Sequence, residues 1–157
     1  MSTRVGIGYD SHRFQAGIPL RLGGCTIEHG YGLAGHSDGD AVLHAITDAL
    51  LGAASLGDIG SFFPDSDPQW KGADSRLFLK GAVEALSSQR LRVGNVDVTV
   101  ITEAPKIAPH VDSMCAAIAA MLGIPIERVS IKGKTNEGMG WIGRGEGLAC
   151  MAVVTVE

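Results

Sequence analysis

The 157-residue sequence is poor in cysteine, aromatic residues and runs of positive charge, and each shortage excludes something. Its three cysteines, Cys25, Cys115 and Cys150, are odd in number and widely spaced, with no CxxC pair. That pattern excludes a thiolate zinc site and a disulfide framework, and it fits a reducing compartment, with the cytoplasm as the expectation. Two Trp, two Tyr and four Phe cannot dominate a core, so small Ala, Val, Leu and Ile side chains must fill it. No Lys or Arg run stands out and the formal net charge is −4, so the electrostatic footprint of nucleic-acid binding is missing. No apolar run approaches the ~18 residues that argue a membrane span. The opening Met-Ser-Thr-Arg-Val-Gly also lacks the apolar region of a secretion signal.

What is present is apolar sequence, 45% of residues, and an excess of glycine, 22 residues. Glycine runs at roughly twice its usual share of ~7%, without a G-X-Y period, which excludes collagen; ordinary proline content argues against disorder. The length and apolar fraction fit a single domain over residues 1–157.

Val5 and Ile7 alternate with Gly6 and Gly8 in a stretch from Thr3 to Phe14, which reads as a strand whose glycines admit another backbone. One or two short strands are expected over Pro19–Ile27. Val42, Ile46 and Leu50 recur every four residues beside Ala41, Ala45 and Ala49, predicting a helix from Asp40 to Ala53 capped by Asp38 or Gly39. Gly57–Lys71 reads as a loop of a length that is commonly functional, anchored by Phe62 and Phe63. Further helices are predicted over Ser75–Arg90 and Ile107–Leu122, the last ended by Gly123 with Pro125 beyond. Asn95–Ile101 alternates polar and apolar residues and is the clearest strand, with two more at Val129–Lys132 and Leu148–Val156. This β-α-α-β-α-β order predicts an α+β fold, one sheet with helices on one face.

Chemistry concentrates early in the chain, where eight of the ten Asp residues lie between Asp10 and Asp74. Asp10 and His12, two apart on a strand, point to the same side. Asp40, His44 and Asp48 follow i, i+4, i+8 spacing on the first helix. Asp10, His12 and His44 together offer two nitrogens and an oxygen with an open fourth position, as catalytic zinc requires, and charged residues elsewhere on the helix could orient the imidazole. Asp-x-His by itself is common, and the alternative is a set of ordinary surface residues. A second constellation is Lys132-Gly-Lys-Thr-Asn-Glu137 followed by five glycines around Arg144 and Glu146. It lacks P-loop spacing. Glu137 suits a hard cation such as Mg²⁺, whereas the bland alternative is a glycine hairpin with an Arg144–Glu146 surface pair. Trp141 in that polar stretch needs burial against something, such as another subunit. Lys106 could meet a ligand phosphate. His29 and His110 are expected to have no metal role.

These residues resemble the 2-C-methyl-D-erythritol 2,4-cyclodiphosphate synthase family. The matching stretches are Gly6-Ile-Gly-Tyr-Asp-Ser-His12, the run from His36 to Ala53, Gly57-Asp-Ile-Gly60, Phe63-Pro-Asp65, Lys71-Gly-Ala-Asp-Ser75, Asn95-Val-Asp-Val-Thr99, Ala104-Pro-Lys106 and Gly143-Arg-Gly-Glu-Gly147. They run in family order over nearly the whole length. The resemblance implies a phosphorus–oxygen lyase of the non-mevalonate isoprenoid pathway, with CMP as second product, working as a homotrimer with sites between subunits. It implies Zn²⁺ at Asp10, His12 and His44, and Mg²⁺ or Mn²⁺ at Glu137. His36, Lys106, Thr135 and Glu137 would be catalytic. Substrate contacts would come from Asp10, His12, His36 and Ser37, from Asp58, Gly60, Phe63 and Asp65, and from the cytidine-side group Ala104, Pro105, Lys106, Thr135, Asn136 and Glu137. Arg144 and Glu146 would add contacts near the trimer axis. Many family members carry a threonine-rich stretch before the metal-binding glutamate, where this chain has Lys134-Thr135-Asn136. A zinc hydrolase releasing linear phosphates and a catalytically inert trimeric binding protein remain as alternatives.

Overall fold

A computed structural model describes residues 2–157; Met1, the first residue of the N-terminal stretch read above, lies outside them. The long strand β1, Arg4–Ala16, obeys a two-residue period: Gly6, Gly8, Asp10, His12 and Phe14 turn inward while Val5, Ile7 and Tyr9 face out. Two short strands, β2 Leu20–Leu22 and β3 Cys25–Ile27, pair as a separate ribbon, and β4, Tyr31–Leu33, adds to the edge of β1. Helix α1, Ala41–Ala53, follows.

The segment expected to be one loop contains a single helical turn, α2 Ile59–Phe62, and a 3₁₀ turn at Pro68–Trp70. Next come α3, Arg76–Ser88, and β5, Val93–Ile101. Helix α4 spans Val111–Leu122, not Ile107–Leu122, because Ala108–His110 form a 3₁₀ turn around Pro109 before it. Its end is as expected, with Gly123 left-handed at φ 67° and its N–H on the Ala119 carbonyl. Strand β6 runs over Val129–Lys134, two residues beyond its expected end. The glycine-rich connection is not a plain hairpin: it holds a helical turn, α5 Gly140–Gly143, before the last strand β7, Gly147–Val156.

The main sheet has the order β4-β1-β7-β5-β6. Strand β7 lies antiparallel between β1 and β5, and β6 runs parallel to β5. Helix α1 packs on β1 and β7, with α3 against α1 and α4 against α3 and β6. The two inner glycines of β1 explain how close α1 comes. A Cβ on Gly6 would lie 1.9 Å from the Ala49 carbonyl oxygen, and one on Gly8 1.9 Å from that of Ala45. The helix backbone therefore rests directly on the strand. The outer sheet face keeps Val5, Ile7, Tyr9, Met151 and Val153 exposed, Ile7 to 65%. Among the described residues, no helix is long and apolar enough to cross a membrane.

Helix α1 is capped by Asp40, not by Asp38 or Gly39. Its carboxylate accepts from Leu43 N–H at 3.0 Å and also from the N–H groups of Gly23 and Gly24, at 2.9 and 2.8 Å. Asp40 therefore ties the β2–β3 turn to the helix start and does not orient the His44 imidazole.

Candidate metal centre and substrate site

The inward alternation of β1 carries Asp10 and His12 toward α1, where His44 occupies the first turn of the helix. The ligand atoms of these three residues all lie within 4.8 Å of one another. His12 Nε2 is 2.7 Å from Asp10 Oδ2, His44 Nδ1 is 3.1 Å from the same oxygen, and the two ring nitrogens are 3.3 Å apart. Zinc bonds of about 2.0–2.1 Å in a tetrahedron put neighbouring ligand atoms about 3.3 Å apart, close to this spacing. His12 Nδ1 lies 2.7 Å from the Ala34 carbonyl, which can only accept, so in the neutral ring the hydrogen sits on Nδ1 and Nε2 presents its lone pair to the cluster. A carboxylate and imidazole lone pairs converging on one point suit a cation, and the donor set suits zinc.

Burial pushes the Asp10 carboxyl up, but hydrogen bonds from His12 and His44, and their charge, outweigh it and hold the group below its ordinary value. Burial likewise pulls His12 down, yet the hydrogen bond and charge of Asp10, helped by Ala34, leave it raised. Asp10 and His12 therefore favour each other's charged forms.

The imidazole of His44 is not oriented by charges on its own helix. Its Nε2 meets Ser75 Oγ at 2.8 Å and Ser37 Oγ at 3.0 Å. Asp48 turns elsewhere and accepts from Ile59 N–H at 2.8 Å, pinning α2. Spacing along α1 had no way to reveal Ser75, which arrives from the start of α3; only the Lys71-Gly-Ala-Asp-Ser75 match marked it, without a role.

A cavity of about 420 Å³ opens over the cluster, and Asp10, His12, His36, Ser37, His44, Gly60, Phe63 and Asp65 all line it. His36 Nε2 is buried there without a hydrogen-bond partner. Of the two expected anchors, only Phe63 serves: its ring is 4.8 Å from Phe78 and 5.0 Å from Trp70, while Phe62 is more exposed. Asp58 stands outside the lining and caps α2, accepting from Ser61 N–H at 2.8 Å and Ser61 Oγ–H at 2.7 Å.

The second group collects elsewhere, beyond the carboxyl ends of the parallel strands β5 and β6. Thr102 N–H donates to the Lys134 carbonyl, and the Gly138 N–H donates to Glu103 Oε1 at 2.6 Å, so two loops lie side by side. One loop carries Ala104, Pro105 and Lys106, with a cis bond before Pro105; the other carries Thr135, Asn136 and Glu137. Glu137 is left-handed at φ 54°, which is rare for a non-glycine residue, and its exposed carboxylate is 3.1 Å from Lys134 Nζ. Lys106 precedes α4 by several residues instead of starting it. None of these six residues lines the cavity over Asp10. Arg144 and Glu146 form an exposed pair, at 2.7 Å, as the alternative reading had it, and Trp141 stays partly exposed beside Glu146.

Comparison with known proteins extends this geometry. The chain is 59% identical over 153 residues to the 2-C-methyl-D-erythritol 2,4-cyclodiphosphate synthase of Gemmatimonas aurantiaca, covering 98% of this chain and 92% of that protein. It is 54% identical to the enzyme of the same name from Pseudomonas fluorescens, over 96% of each chain. A solved 2C-methyl-D-erythritol-2,4-cyclodiphosphate synthase in its CDP-bound form superposes with a TM-score of 0.90 at 37% identity, over 98% of this chain and all of that one. The model of the YgbB family matches residues 3–157, and the chain belongs to that family.

Proposed function

We propose that the chain converts 4-diphosphocytidyl-2-C-methyl-D-erythritol 2-phosphate into 2-C-methyl-D-erythritol 2,4-cyclodiphosphate and CMP. The observation that carries this reading is the convergence of Asp10, His12 and His44 at the floor of a cavity, in a chain similar over its whole length to synthases of that name.

The substrate's own 2-phosphate is the nucleophile. It attacks the β-phosphorus, a new P–O bond closes the ring, and the bond to the departing CMP breaks. The protein accordingly needs no nucleophilic side chain. Burial raises the Cys25, Cys115 and Cys150 thiols, so none is an active thiolate. When bound, Zn²⁺ at Asp10, His12 and His44 and Mg²⁺ or Mn²⁺ at Glu137 would supply Lewis-acid charge to the phosphate oxygens. That charge lets a chain of net −4 accept a polyanion. His36, with its buried and unpartnered Nε2, and Ser37 bind the methylerythritol phosphate end, and Gly60, Phe63 and Asp65 line the sugar. Asp58 acts through the placement of α2, with a sugar contact where Ser61 releases it. Ala104, Pro105, Lys106, Thr135 and Asn136 hold the cytidine end, and Lys106 brings positive charge to the leaving phosphate. A single exposed carboxylate at Glu137 suits a hard cation that takes its other ligands from phosphates and water.

The two halves of the site stand apart within one chain, which supports a homotrimer in which the loops of one subunit complete the neighbour's cavity. The exposed apolar face of β1 and β7 supplies the contact, and Arg144 and Glu146 lie toward the axis. The unpaired cysteines support action in the cytoplasm. Phosphorus NMR of the products tests the reaction: cyclic diphosphate with CMP is expected, whereas a linear bisphosphate would make the protein a zinc hydrolase, and no turnover an inert binding protein.

A further inference from the structure

The Ser75 side chain is fully buried at the start of α3, yet it does not cap that helix. Its hydroxyl donates to Asp38 Oδ1, and its backbone N–H donates to Asp38 Oδ2 at 3.1 Å. A carboxylate only accepts, so the single hydroxyl hydrogen of Ser75 is committed to Asp38. The lone pair left on Ser75 Oγ, 2.8 Å from His44 Nε2, must then accept. That requirement places the imidazole hydrogen on Nε2. The lone pair is left on Nδ1, the atom facing Asp10 Oδ2 and His12 Nε2. Ser37 Oγ, 3.0 Å from the same Nε2, has no such commitment and can either donate or accept, so it does not choose between tautomers.

We propose that Asp38 and Ser75 form a positioning relay that fixes His44 as the Nε2–H tautomer and thereby prepares Nδ1 to bind the metal. The relay does for His44 what the Ala34 carbonyl does for His12. It gives a role to the Lys71-Gly-Ala-Asp-Ser75 stretch, which reaches the centre from a segment remote in sequence from every ligand. Neither residue lines the cavity over the cluster.

The proposal rests on the metal-centre reading, and two measurements separate the fates of the two ideas. In metal-free protein with neutral rings, long-range ¹⁵N–¹H correlation spectra should show His44 protonated at Nε2, and Ser75→Ala should spread it over both tautomers. Competitive chelator titration should show Ser75→Ala weakening zinc by about tenfold to a hundredfold, the range typical when a hydrogen-bond partner of a ligand is removed. Asp38→Asn serves as a second variant of nearly the same shape. Its amide can donate to Ser75 Oγ, turning the hydroxyl hydrogen toward His44 and favouring the Nδ1–H form, so it should weaken zinc at least as much. An Nδ1–H ring in the parent protein, or both folded variants holding zinc within twofold of the parent, would overturn the relay. Should the parent bind no zinc, the metal reading falls, and the tautomer spectra still decide the relay.

Discussion

Asp10 Oδ2 lies 2.7 Å from His12 Nε2 and 3.1 Å from His44 Nδ1, so it is the residue on which the geometry turns. Replacing it removes the only carboxylate among the three candidate ligands. Asp10→Ala should abolish stoichiometric zinc and turnover while changing the thermal midpoint little, because the carboxylate is partly exposed and only its two histidine partners lose a bond. Metal analysis after dialysis, run beside a melting curve, checks this; full zinc occupancy in the variant would remove Asp10 from the site. At this scale the sequence was a good guide to which residues cluster and a poor one to their supports. Asp-x-His on an alternating strand has a definite geometry, whereas a serine 31 residues from His44 has none until the chain folds. Asp40 and Asp48 misled for the complementary reason. Their spacing matched a stripe, but backbone N–H groups from Gly23, Gly24, Leu43 and Ile59 claim their carboxylates.

Among the elements, the contact of β1 with α1 is the joint that brings His44 to Asp10 and His12. Gly8 lies two residues before Asp10 on β1, and its missing Cβ is what allows the helix backbone to seat. Gly8→Ala should destabilise the fold by about 3 kcal/mol or more, at or above the upper end of ordinary overpacking, because the obstacle is a carbonyl and not a flexible side chain. Chemical denaturation gives the number, and a cost under about 1 kcal/mol would mean the strand can slide away. The expectation that Gly6 and Gly8 admit another backbone is thus met, and the backbone is that of α1 in the same chain.

The β5–β6 pair offers a gentler test. Lys132 hydrogen-bonds Asp97 across the strands and holds its carboxyl below the usual value of 3.8. A lowered folded value contributes stability above 3.8 that disappears as the pH falls through it. Lys132→Met should therefore cost less than about 1 kcal/mol at neutral pH, as for an exposed pair, and the gap to the parent should close in acid. Denaturation curves across that range decide it; a gap that persists in acid would point to lost packing instead.

For the whole molecule, the cavity over Asp10 and the loop pair beyond β5 and β6 stand apart in one chain, while the proposed reaction requires both at one substrate. If neighbouring subunits share each site, two dead variants should complement. Trimers reassembled from equal parts His44→Ala and Lys106→Ala chains should regain activity at about one site in four, since each site draws one half from each of two adjacent chains. Turnover after mixing and refolding measures this, and no recovery despite mixed trimers would place both halves in the same subunit. An Ile7→Arg change on the exposed sheet face should separate the subunits in sedimentation and silence the enzyme, with the isolated fold kept.

The sequence by itself determined the strong periodic elements, the Gly123 stop and the candidate ligand trio. Each of these depends on local spacing or composition, which a linear chain already contains. The tertiary structure alone decided that Asp40 caps, that Ala108–His110 stay outside α4, that β2 and β3 leave the main sheet, and that Asp38 and Ser75 stand behind His44. Those outcomes depend on which distant backbone amides and hydroxyls compete for one carboxylate or one ring nitrogen. Such competition is settled only when packing brings the partners within hydrogen-bond reach.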